Sequence, residues 1–419
     1  MDEKLLSVDQ ALQQVLAGIS LLPAERVSLM DALGRVLLEP AVSADDLPHF
    51  ANSSMDGYAV KAEDVAGASE DLPVKLRVIG DIPAGTVAQI SLSSGEAARI
   101  MTGAPLPFGA DAVIPVELTS EPWRQSVRPL PDQIDVRGSV DSGGYIRWPG
   151  EDVRKGTEVL PSGHVLRPQE IGVLSAIGLT EISVVQTPRV AVLATGDELI
   201  EASEPLAPGK IRNSNSPTLT AQIRSSGAIA VDLGVARDSF SDVQSKLDDA
   251  LERDVNLIIS TAGVSVGAYD VVKDVLDSGG EVGFWRVNMR PGKPLAYGEY
   301  RGIPFLGLPG NPVSAMVSFE RFARPAILKM AGHRKLDRPR VRATVKEDIH
   351  SDGRESYLRA IVVYEDGGYS VDLSGRQGSH VMTSLVQANG LLIVPAGTRL
   401  IQSGQAVEVM MIDWPETVF

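Results

Sequence analysis

Residues 188–330 alternate short apolar runs with amphipathic segments, and this alternation limits the possible folds more than any other feature of the chain. Runs such as VAVLA and LII are apolar throughout, with no polar residue at every second position. Strands of this kind are buried on both faces, and the amphipathic segments between them supply the helices that cover a parallel sheet. The sequence therefore predicts a three-layer α/β unit over residues 181–330.

The regions before and after this unit differ from it in pattern. Residues 46–145 contain short strand-like runs separated by Pro and Gly, and residues 331–419 return to short strands with Gly-rich turns. The N-terminus predicts a helix, because apolar residues recur at helical spacing behind a capping box of Ser7 and Gln10. A chain of 419 residues is too long for one core, so we predict a multidomain α/β plus β protein.

Composition excludes several classes of function. The formal net charge of −15 argues against general nucleic-acid binding, which needs clustered Lys and Arg. The absence of Cys excludes disulfides, thiolate catalysis and thiolate metal sites. The five His residues show no metal-ligand spacing, so any metal is expected to be a hard ion bound by oxygen. With no signal peptide and no apolar run long enough to span a bilayer, we expect a soluble, cytoplasmic protein without a membrane partner.

Small, polar and charged residues follow the predicted strands of the α/β unit, at the edge where ligands bind in open parallel sheets. They form five segments: ATGDEL (194–199, with Thr195, Gly196, Asp197 and Glu198), GVARD (234–238, ending at Asp238), TAGVSVGAYD (261–270, with Gly263, Ser265, Gly267 and Asp270), RPGKP (290–294, with Arg290 and Lys293) and GLPGNP (307–312, with Pro309, Gly310, Asn311 and Pro312). Five such segments on one edge predict a ligand site there.

The residue types in these segments indicate the chemistry. Glycines allow backbone N–H groups to approach an oxyanion. Asn311 is suited to capping a helix that has Pro312 in its first turn, and the N-terminus of that helix attracts anions. Asp197, Glu198, Asp238 and Asp270 place several carboxylates on this edge and are candidate Mg²⁺ ligands, since a cluster of carboxylates beside phosphates usually needs this ion. Two alternatives to a ligand site stay open: Asp270 as a helix cap alone, and RPGKP as an ordinary turn with solvated charges. No nucleotide-binding motif of the common types is present.

Several motifs together resemble one enzyme family. These are SSMDGYAV (53–60), IMTGAPLP (100–107), ATGDEL, GVSVGAYD, RPGKP, GLPGNPVSA and GRQGSHVMTSL (375–385). In this order they are similar to the molybdopterin molybdenumtransferases of molybdenum cofactor synthesis, which are related to the C-terminal domain of gephyrin. The resemblance implies cleavage of adenylylated molybdopterin with Mg²⁺ and molybdate, giving molybdenum cofactor and AMP.

The resemblance also implies an architecture and an assembly. It implies a homodimer, with the inserted domain reaching towards the partner's site and molybdopterin adenylyltransferase as the upstream partner. It implies four domains: an elongated, mostly helical dimerisation domain I (1–45 plus 146–180), an inserted β-rich domain II (46–145), a molybdopterin-binding α/β domain III (181–330) similar to molybdopterin adenylyltransferase, and a C-terminal small β-barrel, domain IV (331–419).

Roles carried over by the resemblance fall into three groups. Catalytic positions are Asp56, Thr102, Glu198, Asp238 and Asp270, and the molybdate pocket comprises Arg290, Lys293, Pro294, Ser314, Arg359 and Ser379. Substrate-binding positions are Thr195, Gly196, Asp197, Gly263, Ser265, Gly267, Pro309, Gly310, Asn311 and Pro312. The chain departs from the family at three positions: Arg290 stands where Lys is common, Ala262 where Gly is frequent and Ala268 where an acid is frequent.

Two other functions remain open from the sequence. One is a non-catalytic molybdopterin-binding scaffold, which would bind substrate without releasing AMP. The other is the preceding adenylyltransferase step, which would consume ATP and release pyrophosphate. No residue separates molybdate from tungstate, because the two oxyanions have nearly the same size and charge.

Overall fold

The structure, a computed structural model, describes residues 5–121, 129–261, 269–280 and 282–414, with the backbone alone for Tyr269, Asp270 and Phe284. Predicted site residues Gly263, Ser265 and Gly267 therefore lie outside the described residues, as do Ala262 and Ala268.

The chain begins with a strand and a helix that pack on the α/β unit. Elements in this region are β1 (Leu5–Leu6), α1 (Val8–Ala17), β2 (Ala24–Ser28) and β3 (Ala41–Val42). The predicted capping box is confirmed, with the Gln10 backbone N–H donating to Ser7 Oγ at 3.2 Å and the Ser7 N–H donating to Gln10 Oε1 at 3.1 Å. Strand β1 joins the central sheet, so residues 5–17 contact the α/β unit. The resemblance implies that these residues belong to domain I.

The inserted segment forms a β-rich module, as predicted. Its strands are β4 (Asn52–Ser53), β5 (Gly57–Val60), β6 (Val74–Ile82), β7 (Glu96–Ile100), β8 (Ala112–Pro115) and β9 (Gln133–Val136). Five of them form one sheet in the order β8-β5-β7-β6-β9. Alternate residues of β5 enter two different apolar clusters, Tyr58 on one face and Ala59 on the other, so both faces of the sheet are covered.

Residues after the inserted module return to pair with those before it. The returning elements are β10 (Ile146–Arg147), β11 (Glu158–Leu160), α2 (Pro168–Ala176) and β12 (Glu181–Val185). Strand β12 pairs antiparallel with β2, and β11 pairs antiparallel with β3. This region thus combines helix with strand pairs and is more mixed than the mostly helical prediction. The boundaries of the four domains remain predictions.

The α/β unit contains the predicted alternation of strands and helices. Its elements are β13 (Arg189–Thr195), β14 (Leu199–Ile200), β15 (Ile211–Arg212), α3 (Asn215–Ser225), β16 (Ile229–Ala236), α4 (Phe240–Glu252), β17 (Leu257–Thr261), α5 (Tyr269–Gly279), β18 (Val282–Val287), β19 (Met289–Arg290), β20 (Pro294–Tyr300), β21 (Ile303–Leu308), α6 (Pro312–Ser318) and α7 (Arg324–Met330). A π-helical turn, Phe319–Ala323, joins α6 to α7.

The central sheet has seven strands in the order β1-β18-β20-β21-β17-β13-β16. Six strands share one direction, and β20 runs antiparallel to both of its neighbours. The sequence predicted an entirely parallel sheet. It missed β20 because RPGKP was interpreted as a strand end rather than as the connection between two antiparallel strands.

Helices cover both faces of this sheet, which confirms the three-layer prediction. Along β13, Val190 and Val192 join the core shared with α1, α3, α6 and α7, whereas Ala191 and Leu193 join the core shared with α4 and α5. The period of two along the strand sends successive side chains to opposite faces. No helix among the described residues is long and apolar enough to cross a membrane.

The C-terminal region is a closed five-stranded barrel, as predicted. Its elements are β22 (Arg340–Val345), β23 (Ile349–His350), β24 (Glu355–Glu365), β25 (Gly368–Leu373), α8 (Thr383–Val386), β26 (Gly390–Val394), β27 (Leu400–Ile401) and β28 (Ala406–Met411). The barrel closes because β24 pairs with both β25 and β26, at the two ends of the strand order β25-β22-β28-β26. Strand β19 pairs with β24 and attaches the barrel to the α/β unit.

The N-terminus of α2 yields a pH-dependent prediction. The buried Glu170 accepts hydrogen bonds from Arg167, including its backbone N–H at 2.9 Å, and lies 3.2 Å from His164 Nε2. Hydrogen bonding from Arg167 and then His164 lowers the pKa of Glu170 to about 2. A carboxyl with a lowered pKa stabilises the fold above its unfolded pKa, and this stabilisation fades as the pH falls towards 2. We therefore expect Glu170→Gln to lower the thermal midpoint near pH 7 and to have a smaller effect near pH 3.

Circular dichroism melts at the two pH values test this expectation. Glu181→Gln is the matched control, because Glu181 is an exposed residue whose ion pair with Arg26 is 3.9 Å long. An equal effect of Glu170→Gln at both pH values would show that the charge of Glu170 does not stabilise this region.

Candidate functional site

A cavity of about 790 Å³ lies where the α/β unit meets the barrel. Ten residues predicted from the sequence line it: Glu198, Arg290, Lys293, Pro294, Pro309, Gly310, Asn311, Pro312, Ser314 and Ser379. These residues come from four separate segments of the chain, and the tertiary structure brings them together. The predicted ligand edge of the sheet is therefore the position of the cavity.

The RPGKP segment reaches this edge as the turn between β18 and β20. The Val287 backbone N–H donates to the Lys293 carbonyl at 2.8 Å and closes the turn. Gly292 has φ +106, and a Cβ at this position would lie 2.6 Å from Ser318 Oγ. Glycine is thus required both by the backbone conformation and by the close approach of Ser318. The turn presents the exposed cations Arg290 and Lys293 to the cavity.

The barrel supplies a further cation beside this turn. Arg354 lines the cavity and binds Asp352 through Nη2 at 2.5 Å, and Arg290 Nη1 lies 3.5 Å from the same carboxylate. Hydrogen bonds from Arg354, followed by the charge of Arg290, lower the pKa of Asp352 to about 2. The carboxylate is therefore ionised at neutral pH and lies between two guanidinium groups.

Arg359 does not line the cavity, in contrast to the expectation that it reaches into the oxyanion pocket. Its side chain is 1% exposed, and its Nη2 donates to the carbonyls of Arg376 and Gly378 at 3.1 Å each. Burial and the charge of Arg290 lower its pKa to about 10. Arg359 thus fixes the loop that carries Ser379, because β24 directs its side chain beneath that loop.

Two acids at the sheet edge hold neighbouring loops together. The Asp197 N–H lies 3.4 Å from Asp238 Oδ2, and the Asp238 N–H lies 3.3 Å from Asp197 Oδ1. Each carboxylate therefore has a second oxygen outside this reciprocal pair. Glu198 folds against Gly196, whose φ is +145 and where a Cβ would meet a Glu198 carboxylate oxygen at 2.5 Å. Of these residues, Glu198 reaches the cavity wall.

The donor set suits Mg²⁺, which typically binds one or two carboxylates together with substrate phosphates and water. Among the side chains that the structure describes, no group of three or more acids or histidines is close enough to hold a metal ion. The predicted third ligand, Asp270, begins α5 but its side chain lies outside the description. The described side chains of Asp197, Glu198 and Asp238 therefore do not form a metal site by themselves, and Mg²⁺ stays a prediction from the sequence.

Thr195 ends β13 beneath this edge. It is fully buried, and its Oγ1 has no hydrogen-bond partner among the described residues. A buried hydroxyl without a partner costs free energy unless a ligand or water binds it. Thr195 does not itself line the cavity.

Asp56 and Thr102 lie together in the inserted module. Asp56 Oδ1 accepts hydrogen bonds from the Thr102 N–H at 2.7 Å and from Thr102 Oγ1 at 2.9 Å. The structure thus joins the motifs SSMDGYAV and IMTGAPLP, which are far apart in sequence. Neither residue lines the cavity of the same chain.

The GLPGNP loop leads from β21 into α6. Pro312 occupies the first turn, as predicted, but the Asn311 side chain makes no capping hydrogen bond. The loop is instead fixed by Asn215, whose Nδ2 donates to the Gly310 carbonyl at 2.7 Å, and by the Val313 N–H, which donates to the Ser379 carbonyl at 3.2 Å. These two contacts attach the loop to α3 and to the barrel.

Sequence reasoning missed several residues of the cavity wall. They include Arg212, Asn213, Ser214, Asn215 and Arg354, whereas Thr261, Gly292, Gln377, Gly378 and His380 lie in motifs that predicted the site. The polar run NSNS (213–216) carried a local signal, since four Asn and Ser residues precede a helix. Arg354 carried none, because its place depends on how the barrel docks.

The fold places the chain in the class of proteins that combine a probable molybdopterin binding domain with flanking domains. Three family models match: the MoeA N-terminal region, domain I and II, over residues 6–178; the probable molybdopterin binding domain over 191–329; and the MoeA C-terminal region, domain IV, over 342–412.

Curated relatives and solved structures agree. A molybdopterin molybdenumtransferase 2 of Mycobacterium tuberculosis is 41% identical over 91% of this chain and 94% of its own length. A molybdopterin molybdenumtransferase of Bacillus subtilis is 34% identical over 99% of this chain and 97% of its own length. The crystal structure of a MoeA protein from Pyrococcus horikoshii has a TM-score of 0.80 at 30% identity, covering 98% of this chain and all of that one. The chain belongs to the molybdopterin molybdenumtransferase family.

The RPGKP turn generates a prediction about stability. We expect Gly292→Ala to destabilise the protein by about 1–3 kcal/mol from backbone strain, with an added cost from contact with Ser318 Oγ. Gly302→Ala is the matched control, because Gly302 has φ +83 and, apart from its chain neighbours, no atom lies within 4 Å of the position that a Cβ would take there. The difference between the two variants in urea unfolding then measures the contact.

Ser318→Ala provides the second arm. Its hydroxyl is buried without a partner among the described residues, so the single substitution should be neutral or stabilising. In the Gly292→Ala background, Ser318→Ala should restore the stability lost through the contact with Ser318 Oγ but not the stability lost through backbone strain. Equal losses for Gly292→Ala and Gly302→Ala, with no recovery, would contradict this account.

Proposed function

We propose that this chain inserts molybdenum into molybdopterin, cleaving adenylylated molybdopterin in the presence of molybdate and releasing AMP. The observation that carries the proposal is the cavity, which places the cations Arg290 and Lys293 together with Glu198 and the GLPGNP loop. The names of the relatives, molybdopterin molybdenumtransferase, support the same reaction.

The cavity offers separate surfaces for the two substrates. Molybdate is a dianion, and Arg290, Lys293 and the buried Ser314 supply charge and hydrogen-bond donors for it. Pro294 and Ser379 complete that part of the wall. The segments of 196–198 and 309–312 would face the phosphates and the pterin, and Thr195 would support them from beneath. We extend the same role to Gly263, Ser265 and Gly267 from the sequence alone.

We also propose Mg²⁺ as the cofactor, held by Glu198, Asp238 and Asp270 with Asp197 adjacent. When bound, Mg²⁺ would neutralise charge on the pyrophosphate link. The reciprocal contacts between Asp197 and Asp238 keep both carboxylates oriented, so little reordering is needed on substrate binding. Lys293 and Arg290 hold the oxyanion near the cleaved group and restrict its motion.

The working form is proposed to be a cytoplasmic homodimer that receives substrate from molybdopterin adenylyltransferase. Asp56 and Thr102 hydrogen bond to each other yet lie outside the cavity of their own chain. In a dimer they would act at the partner's cavity, as the resemblance implies for the inserted domain. The division into domains I to IV with the boundaries given above belongs to the same proposal.

The direct test is a turnover assay with purified protein, adenylylated molybdopterin, Mg²⁺ and molybdate. We expect AMP release that depends on molybdate. Tight binding of substrate without AMP release would indicate a scaffold, and pyrophosphate release from ATP would indicate the adenylyltransferase step. Tungstate added to the same assay should compete with molybdate, because the cavity distinguishes charge and size rather than the metal.

Lys293→Gln tests the oxyanion pocket. Loss of a charge-assisted hydrogen bond is expected to raise the KM for molybdate by about tenfold or more, with a smaller effect on kcat at saturating molybdate. Lys75→Gln is the matched control, since Lys75 is exposed on β6 and is not part of the cavity wall. An unchanged KM in a folded Lys293→Gln variant would exclude Lys293 from the pocket.

A further inference from the structure

The barrel contributes a cation to the cavity that neither the sequence motifs nor the family assignment singled out. Arg354 lines the wall beside Arg290, whereas Arg359, which was expected there, is buried. The Arg354 side chain is 35% exposed, so part of the guanidinium faces the open space.

Asp352 connects the two guanidinium groups. Its Oδ2 accepts hydrogen bonds from Arg354 Nη2 at 2.5 Å and Nε at 3.0 Å, and it lies 3.5 Å from Arg290 Nη1. Its Oδ1 accepts the Arg354 backbone N–H at 3.1 Å. Arg354 Nη1 also contacts the Met289 carbonyl at 3.4 Å. The pairing of β19 with β24 makes this possible, because it sets residues 289–290 beside 355–356.

The donor count leaves Arg354 able to bind a ligand. A guanidinium has five N–H groups, and the contacts to Asp352 and Met289 use three of them. Among the described residues, one N–H on each terminal nitrogen makes no hydrogen bond, and such a fork matches two oxygens of an oxyanion. In the part of the chain that the structure describes, Arg290 donates one N–H to Asp352 and its other N–H groups make no hydrogen bond.

The local charges match a dianion. Arg290, Arg354 and Lys293 carry three positive charges and Asp352 carries one negative charge, so these four side chains have a net charge of +2. A molybdate or tungstate ion neutralises that net charge. Since the Asp352 carboxylate already accepts several donors, an incoming oxyanion does not have to displace it.

We propose that Arg354 is a further oxyanion-binding residue and that Asp352 is a positioning residue that holds Arg290 and Arg354 side by side. This inference deepens the proposed function and rests on it for the identity of the anion. It concerns the dianionic second substrate and not the pterin.

Arg354→Gln is the first test. We expect the KM for molybdate to rise by about tenfold or more, from loss of a charge-assisted fork, with kcat at saturating molybdate largely kept. Arg354→Lys, which keeps the charge but not the fork, should give an intermediate KM. Arg342→Gln is the matched control, because Arg342 is exposed on β22 outside the cavity wall. A purely structural role for Arg354 would lower kcat and the melting temperature without changing the KM, and that result would overturn the proposal.

Asp352→Asn tests positioning by the sign of its effect. If Asp352 holds the two guanidinium groups in place, the substitution should raise the KM for molybdate by roughly threefold or more. If Asp352 acted as a competing negative charge alone, its removal would lower the KM. A lowered or unchanged KM would therefore reject the positioning role.

Calorimetric titration with sodium molybdate separates this inference from the proposed function. Binding that weakens in Arg354→Gln but not in Arg342→Gln supports the inference even if the wild-type protein releases no AMP, an outcome that would overturn the proposed function alone. Molybdate-dependent AMP release by the wild type, with the same KM and the same affinity in Arg354→Gln, would overturn this inference and leave the proposed function intact.

Discussion

The reversal of one strand in the central sheet decides where the cations of the cavity lie. Strand β18 ends at Val287 and β20 begins at Pro294, and their antiparallel pairing joins them through a short turn. A parallel neighbour would have required a crossover connection of a dozen or more residues. Because of the reversal, Arg290 and Lys293 are held close together at the edge where the parallel strands also end.

Docking of the barrel depends on this same turn. Strand β19 (Met289–Arg290) pairs with the beginning of β24, so the barrel is attached within the segment that carries the cations. The barrel then adds Arg354 and the loop that contains Ser379, and the buried Arg359 fixes that loop from below. An acidic protein thus concentrates positive charge in one cavity between two folding units, where a concave wall focuses its effect on an anion.

Local patterns predicted those parts of the structure that depend on near neighbours in sequence. The capping box of α1, the alternation of strands and helices after residue 188 and the helix that begins at Pro312 all follow from spacing and turn residues. The glycine of RPGKP was foreseen as part of a turn, but its reason was not. That reason is the close approach of Ser318, a residue of helix α6. Gly292 and Ser318 are far apart in the sequence, so no local pattern indicates this contact.

The sequence by itself determined the three-layer unit, the short strands of the C-terminal region and the set of polar segments at the sheet edge, because periodicity and turn chemistry are properties of neighbouring residues. The closure of those C-terminal strands into a barrel was expected only from the family resemblance. Together with the family resemblance, it named ten of the residues that line the cavity. The tertiary structure alone decided that β20 is antiparallel, that Arg359 is buried and that Arg354 takes the place at the wall. These outcomes depend on strand pairing and on docking between units, which join residues far apart in the chain.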